Sequence, residues 1–139
     1  MIILDGKTAA ATVKASLQKE VQAIVQQGKR APHLAAILVG NNGASETYVE
    51  KKKKNCEEVG FDSTLIRLNE NVSEQELLSK ILELNQNDLI DGILVQLPLP
   101  KHISEAKIIE TIDSNKDVDG FHPINAGKLV QGLPSFIPA

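Results

Sequence analysis

Along the chain, apolar residues alternate between two spacings. From about Lys7 to Gln27 they recur at Ala9, Val13, Leu17, Val21 and Ile24, the rhythm of one helix face, and Gly28 is placed to end that helix. His33–Gly40 (HLAAILVG) is instead a short unbroken apolar run, as expected of a strand buried on both faces. Asn41-Asn42-Gly43 supplies turn chemistry, after which helical spacing resumes from about Ser45 to Val59 and stops at Gly60. Phe61–Leu68 reads as a strand. Ser73-x-x-Glu76 is a capping box that opens a helix running to about Asn85. Gly92–Leu97 is another buried strand, closed by Pro98 and Pro100. A weaker helical pattern covers about Glu105–Ile112, Lys116–Pro123 reads as a loop, and about Asn125–Val130 as a short helix. Ile2, Ile3 and Leu4 form a short apolar start before all of this.

This order predicts an α/β fold, a three-layer αβα domain whose mostly parallel sheet is covered by helices on both faces. A chain of 139 residues fits one domain, and at that size about two-thirds of the unfolded surface can be buried. With 42% apolar and 24% charged residues, it is neither a disordered tail nor a fibre nor a disulfide-stapled miniprotein. The net charge of −3 gives no reason to expect a polyanionic partner, and one Tyr and three Phe are too few for a base-stacking surface. Cys56 alone makes no internal disulfide and no structural zinc site. No stretch approaches the roughly 18 apolar residues of a membrane span, and the start has no basic region ahead of a long apolar run. The expectation is a soluble cytoplasmic protein with no nucleic-acid or membrane partner. From about residue 124, the sequence through GLPSFIPA reads as a chain leaving a domain.

The four-lysine run Lys51–Lys54 separates once it is wound on a helix. At about 100° per residue, Ser45, Tyr48, Val49, Lys52, Cys56 and Val59 share one stripe, while Lys51, Lys53 and Lys54 point elsewhere. Lys52 is thus the single lysine on the apolar stripe. Desolvation disfavours a charge there, so it is either a functional group, or a lysine that snorkels to the edge of the core or forms an ion pair.

Ligands of open parallel sheets bind beyond the carboxyl ends of the strands. There Gln96 interrupts an apolar run; it either caps an edge or stands beside a reactive group. In Lys116–Pro123 (KDVDGFHP), Asp117 and Asp119 are either turn formers ahead of Gly120 or carboxylates for a ligand's paired N–H donors. Two Asp and His122 lack a third-ligand motif, which argues against a metal.

Together, Ser45-x-x-Tyr48-x-x-x-Lys52, the stretch ELLSKILELNQNDLIDGILVQLPLP and KDVDGFHPINAGKL resemble the bifunctional methylenetetrahydrofolate dehydrogenase/methenyltetrahydrofolate cyclohydrolase family, over essentially the whole chain. The resemblance implies a folate-binding catalytic domain over residues 1–139. Lys52 would be its catalytic lysine, a general base and proton shuttle. Gln96 would hydrogen-bond and tune that lysine, and Tyr48 would pack against and orient the folate. Asp119 would bind the amino-pyrimidine edge of the pterin, with Ser45 and the Val95–Leu97 backbone lining the same cleft. It also implies an oxidoreductase and hydrolase of one-carbon metabolism feeding purine biosynthesis, a homodimer, tetrahydrofolate substrates, NADP as cofactor and no metal.

Members of that family are about twice as long, with a second Rossmann domain that binds the cofactor. Its glycine-rich segment is missing from this sequence, which stops about where the family's chain crosses to that domain. The cofactor-binding residues are therefore not expected here. Two other readings of the residues stand beside the first: a domain that binds folate without turnover, and a flavodoxin-like signalling or nucleotide-binding domain. The latter lacks a phosphate-binding glycine loop.

Overall fold

The computed structural model of the chain describes residues 5–138; the apolar start Ile2–Leu4 lies outside the described residues. At the centre of the sheet is β1 (His33–Val39), buried from Ala35 to Val39. It is flanked in parallel by β2 (Asp62–Leu68) and β3 (Gly92–Val95), giving the order β2-β1-β3. His33 lies opposite Asp62, and Leu34 opposite Gly92.

Alternate residues of β1 feed two apolar layers. Ala35, Ile37 and Val39 join Ile93 and Val95 in one cluster with Leu77, Ile81 and Leu84 of α3 (Glu74–Asn85) and Ile108 of α4 (Glu105–Thr111). Ala36 and Leu38 point the other way, toward the face covered by α2 (Gly43–Val59), which buries Ser45, Val49, Cys56 and Val59. Helices therefore cover both faces of a parallel sheet, as the alternating pattern predicts.

Two expectations need correction. The apolar positions of α1 (Gly6–Gln26) do not all face the core: Val21 is buried, but Val13 is 59% and Leu17 36% exposed. The helix packs on α2 and not on the sheet. Val21 stands against Gly60, and Lys14 Nζ donates to Asn55 Oδ1 and Glu58 Oε2, both at 2.6 Å. In addition, the alternating order implies fully apolar strands, but β2 is an edge strand with exposed positions between half-buried ones. Smaller differences concern the ends. Gln27 is the C-cap of α1 and Gly28 the left-handed residue after it, while β3 stops at Val95 and not at Leu97. Ser73 Oγ accepts from Glu76 N at 3.2 Å, the cap its motif predicts for α3.

Past β3 the chain is stitched down before it reaches α5 (Pro123–Val130). Lys116 Nζ donates to the carbonyls of Leu84, Asn85 and Asn87 at 3.1, 2.8 and 2.9 Å, satisfying oxygens that the end of α3 leaves free. The Asn85 side chain donates to Thr111 O at 2.7 Å and accepts from Asp113 N at 2.9 Å, tying α3 to the end of α4. Ile93 N donates to Lys116 O at 2.7 Å, and Val118 lies over Gly92, where a Cβ would come within 2.5 Å of Val118 Cγ1.

Gly92→Ala is therefore expected to destabilise the chain by about 1–3 kcal/mol through overpacking, and a Val118→Ala background should remove most of that loss in urea titrations. At the amino ends of the strands, the Arg30 guanidinium grips both oxygens of Asp91, at 2.5 and 2.9 Å, and His33 N donates to Asp91 Oδ2 at 2.8 Å. These contacts, Arg30 first, hold the Asp91 carboxyl below its usual 3.8. A depressed carboxyl stabilises the fold above the unfolded pKa and loses that contribution as pH falls through the folded one. Thermal melts between neutral pH and about pH 3 should thus show a shallower acid-side decline for Asp91→Asn than for the unsubstituted chain.

Candidate active site

Helix α2 aims one lysine at the carboxyl end of the sheet. Its start is fixed by Asn42, whose Oδ1 accepts from Ala44 N at 3.0 Å and Ser45 N at 3.2 Å, and its end by Gly60 at φ 85°. Within that frame Lys51, Lys53 and Lys54 are exposed, whereas Lys52 is half-buried. Its stem shares a narrow crevice with Ala36, Val49 and Cys56, and its Nζ donates to Gln96 Oε1 at 3.3 Å. The lysine snorkels along apolar surface, and the partner that receives its head is the polar residue at the strand end.

Gln96 is held from both of its ends. Its backbone N–H donates to Ile37 O at 2.9 Å, carrying the ladder one step past Val95, and its Nε2 donates to Leu97 O at 2.8 Å. The amide therefore presents its oxygen to Lys52. Strand alternation sends Val95, 6% exposed, into the α3–α4 layer, so this segment faces the site with its backbone and the Gln96 side chain. Ser45 is buried two turns before Lys52. Tyr48, expected on the inward stripe, is 62% exposed; it stands at the solvent edge of that stripe, one turn from Lys52.

The two aspartates of the 116–123 loop part company. Asp117 is 3% exposed and works as the turn former: its Oδ1 accepts from Gly120 N at 3.1 Å and its Oδ2 from His122 N at 2.8 Å and Asn125 Nδ2 at 3.0 Å. Asp119 is half-buried, and among the described residues no hydrogen bond holds its carboxylate. Burial pushes the Asp119 carboxyl above its usual value, the Lys52 charge pulls it back, and the Asp117 charge adds to the rise. The Lys52–Gln96 pair at the end of β3 and the Asp119 carboxylate of the loop thus lie within reach of each other's charge. Such a set can hold a ligand's N–H edge with one arm and move a proton with the other.

Gly120, at φ 70°, is crossed by the C-terminal segment: a Cβ there would lie 2.8 Å from Phe136 O and 3.0 Å from Pro138. His122 Nδ1 caps α5 by accepting from Ile124 N at 3.1 Å, which commits it to the fold. Among the described residues, no three His, Cys, Asp or Glu side chains gather to hold a metal. At the start of α2, Ala44 N and Ser45 N already donate to Asn42 Oδ1 and are not free for a phosphate. Asn125, 1% exposed, was not singled out by the sequence pattern; a polar residue in the first turn of a short helix is too common to stand out.

Residues 4–119 match the model of the tetrahydrofolate dehydrogenase/cyclohydrolase catalytic domain. The chain belongs to this family. It is 58% identical over all 139 residues to the bifunctional protein FolD of Bacteroides thetaiotaomicron and to that of Flavobacterium johnsoniae, covering 47% of each. The chain thus spans about half the length of the curated relatives it matches, and the remaining half has no counterpart in these residues. Its fold superimposes with a TM-score of 0.96 on the FolD dehydrogenase/cyclohydrolase of Campylobacter jejuni, at 51% identity over 99% of this chain and 49% of that one. With the Trypanosoma brucei FolD, solved with NADP cofactor and inhibitor, the TM-score is 0.93 at 31% identity, over 99% of this chain and 47% of that one.

A raised carboxyl works against the fold once it ionises: its contribution is full below the unfolded pKa near 3.8 and lost as pH rises through the folded value. Asp119→Asn is therefore expected to melt at a higher temperature than the unsubstituted chain at neutral pH. The difference should vanish below about pH 4.

Proposed function

We propose that the chain is the folate-binding catalytic domain of a bifunctional methylenetetrahydrofolate dehydrogenase/methenyltetrahydrofolate cyclohydrolase, with tetrahydrofolate derivatives as its substrates. The observation that carries this reading is the Lys52–Gln96 contact standing beside the unpaired Asp119 carboxylate. Asp119 accepts from the paired N–H donors of the amino-pyrimidine edge, a bidentate, charge-assisted contact. Tyr48, exposed one turn from Lys52, stacks on the folate and orients it, and Ser45 with the Val95–Leu97 backbone lines the cleft.

In the hydrolytic step water attacks the cationic one-carbon bridge. Lys52, as the neutral amine, takes a proton from the water and passes it to the folate nitrogen whose bond to that carbon breaks, and the remaining hydroxyl proton leaves to solvent as the neutral formyl carbonyl forms. The cationic substrate beside Nζ favours the uncharged amine, because like charges disfavour one another. Gln96 Oε1 fixes the amine's position without adding a charge of its own. In the oxidative step a hydride leaves the same bridge carbon for NADP. The reading carries with it the family's NADP dependence, homodimeric assembly, cytoplasmic location and one-carbon supply to purine biosynthesis.

The 139-residue chain should hydrolyse methenyltetrahydrofolate, followed by loss of its absorbance. Lys52→Met should lower that rate by about 10²–10⁴-fold, the usual worth of general acid–base catalysis. An unchanged rate rejects the role of Lys52. Folate binding without turnover by the unsubstituted chain would leave it a binding domain.

A further inference from the structure

Among the described residues no hydrogen bond aims the Asp119 carboxylate, yet its loop has little freedom. The restraint comes from below. Asp117 gathers the N–H groups of Gly120 and His122, so the backbone on the far side of Asp119 is wrapped around one buried carboxylate. That carboxylate is anchored in turn by Asn125, whose Nδ2 donates to Asp117 Oδ2 at 3.0 Å and to Ser114 O at 2.8 Å. Both N–H groups of one buried amide are thereby used, one on each side of the loop. Val118, the residue between the two aspartates, is clamped over Gly92. Asn125 itself is far from solvent, at 1% exposure, and makes none of these contacts with a group expected to touch ligand.

We propose that Asn125 is a positioning residue that sets the aim of Asp119 through Asp117, and so confers the preference for ligands bearing a paired N–H edge. The inference rests on the reading of Asp119 as the pterin-binding carboxylate. A buried Asp117 deprived of the amide must find another donor or turn toward water, because a buried acceptor left unpaired is costly. Either response shifts Gly120 and His122, and Asp119 moves with them. A displacement near 1 Å is enough to forfeit a bidentate contact, at a loss on the order of 10²-fold.

The test uses two ligands, tetrahydrofolate and its analogue lacking the 2-amino group, titrated into the unsubstituted chain, Asp119→Ala and Asn125→Leu. Leu keeps the branched heavy-atom shape of Asn, with bulkier methyls, and removes both donors. The unsubstituted chain should favour tetrahydrofolate, and Asp119→Ala should bind the two alike. Asn125→Leu should lose tetrahydrofolate affinity by roughly 10–100-fold and keep its affinity for the analogue. If Asn125→Leu does not melt cooperatively, Asn125→Ser, a smaller change that keeps one donor, is judged by the same criteria. An unsubstituted chain that binds neither ligand, or shows no preference, overturns the reading of Asp119 and the proposal with it. A preference abolished by Asp119→Ala but retained in the Asn125 variant overturns the proposal alone. So does an Asn125 variant that loses both ligands in equal proportion.

Discussion

Lys52 can stand half inside an apolar layer because an oxygen waits for its ammonium at the end of β3. That one contact constrains much else. It fixes the phase of α2, which must turn Val49, Cys56 and Val59 to the sheet while bringing Lys52 level with the strand end. It places Gln96 at the last bond of the ladder, to Ile37 O, with its side chain turned to the helix. It also gives a reason for the Leu97 carbonyl to be engaged, since the Gln96 amide is otherwise free to turn its nitrogen toward the lysine. A carboxylate in the place of Gln96 would pair more strongly with Lys52. A neutral amide instead holds the lysine's head without adding a charge.

The elements of the fold were legible in the sequence because each announces itself locally. An unbroken HLAAILVG, a Ser73 cap and a glycine behind each of the first two helices need no knowledge of the rest of the chain. What each helix packs against is not local, and there the pattern misled. The apolar stripe of α1 has the spacing of a core face, yet only Val21 is buried and Ile24 half-buried among its described residues, because the helix packs on α2. Helical arithmetic separated Lys52 from its three neighbours without help from any structure. The same arithmetic placed Tyr48 on the inward stripe, although a residue at the margin of a stripe about 100° wide is as easily outside as in. Which of Asp117 and Asp119 shapes the turn could not be read from KDVDG, since two aspartates with one residue between them are chemically alike. Only the donors around them, supplied from Gly120, His122 and Asn125, tell them apart.

The motifs that carry the family resemblance therefore contain two kinds of residue. Lys52, Gln96 and Asp119 meet at the site. Asn85, Asn87 and Lys116 are fasteners that close the end of α3 and hold the following loop against it. Both kinds leave the same mark on a sequence, which is why a motif alone does not say which of its members touch a substrate.

The position of β1 has a consequence for how the protein comes into being. β1 is the central strand, but both of its neighbours lie later in the chain, beginning at Asp62 and Gly92, and the stitch through Lys116 comes later still. A chain emerging from the ribosome amino end first must carry the apolar β1 with both edges bare until β2 is made, and with one edge bare until β3 follows. Parallel pairing allows no local hairpin to shield it in the meantime. Until the later strands arrive, α2 is the nearest cover in sequence, so the helix that presents the lysine is also placed to guard the nascent sheet.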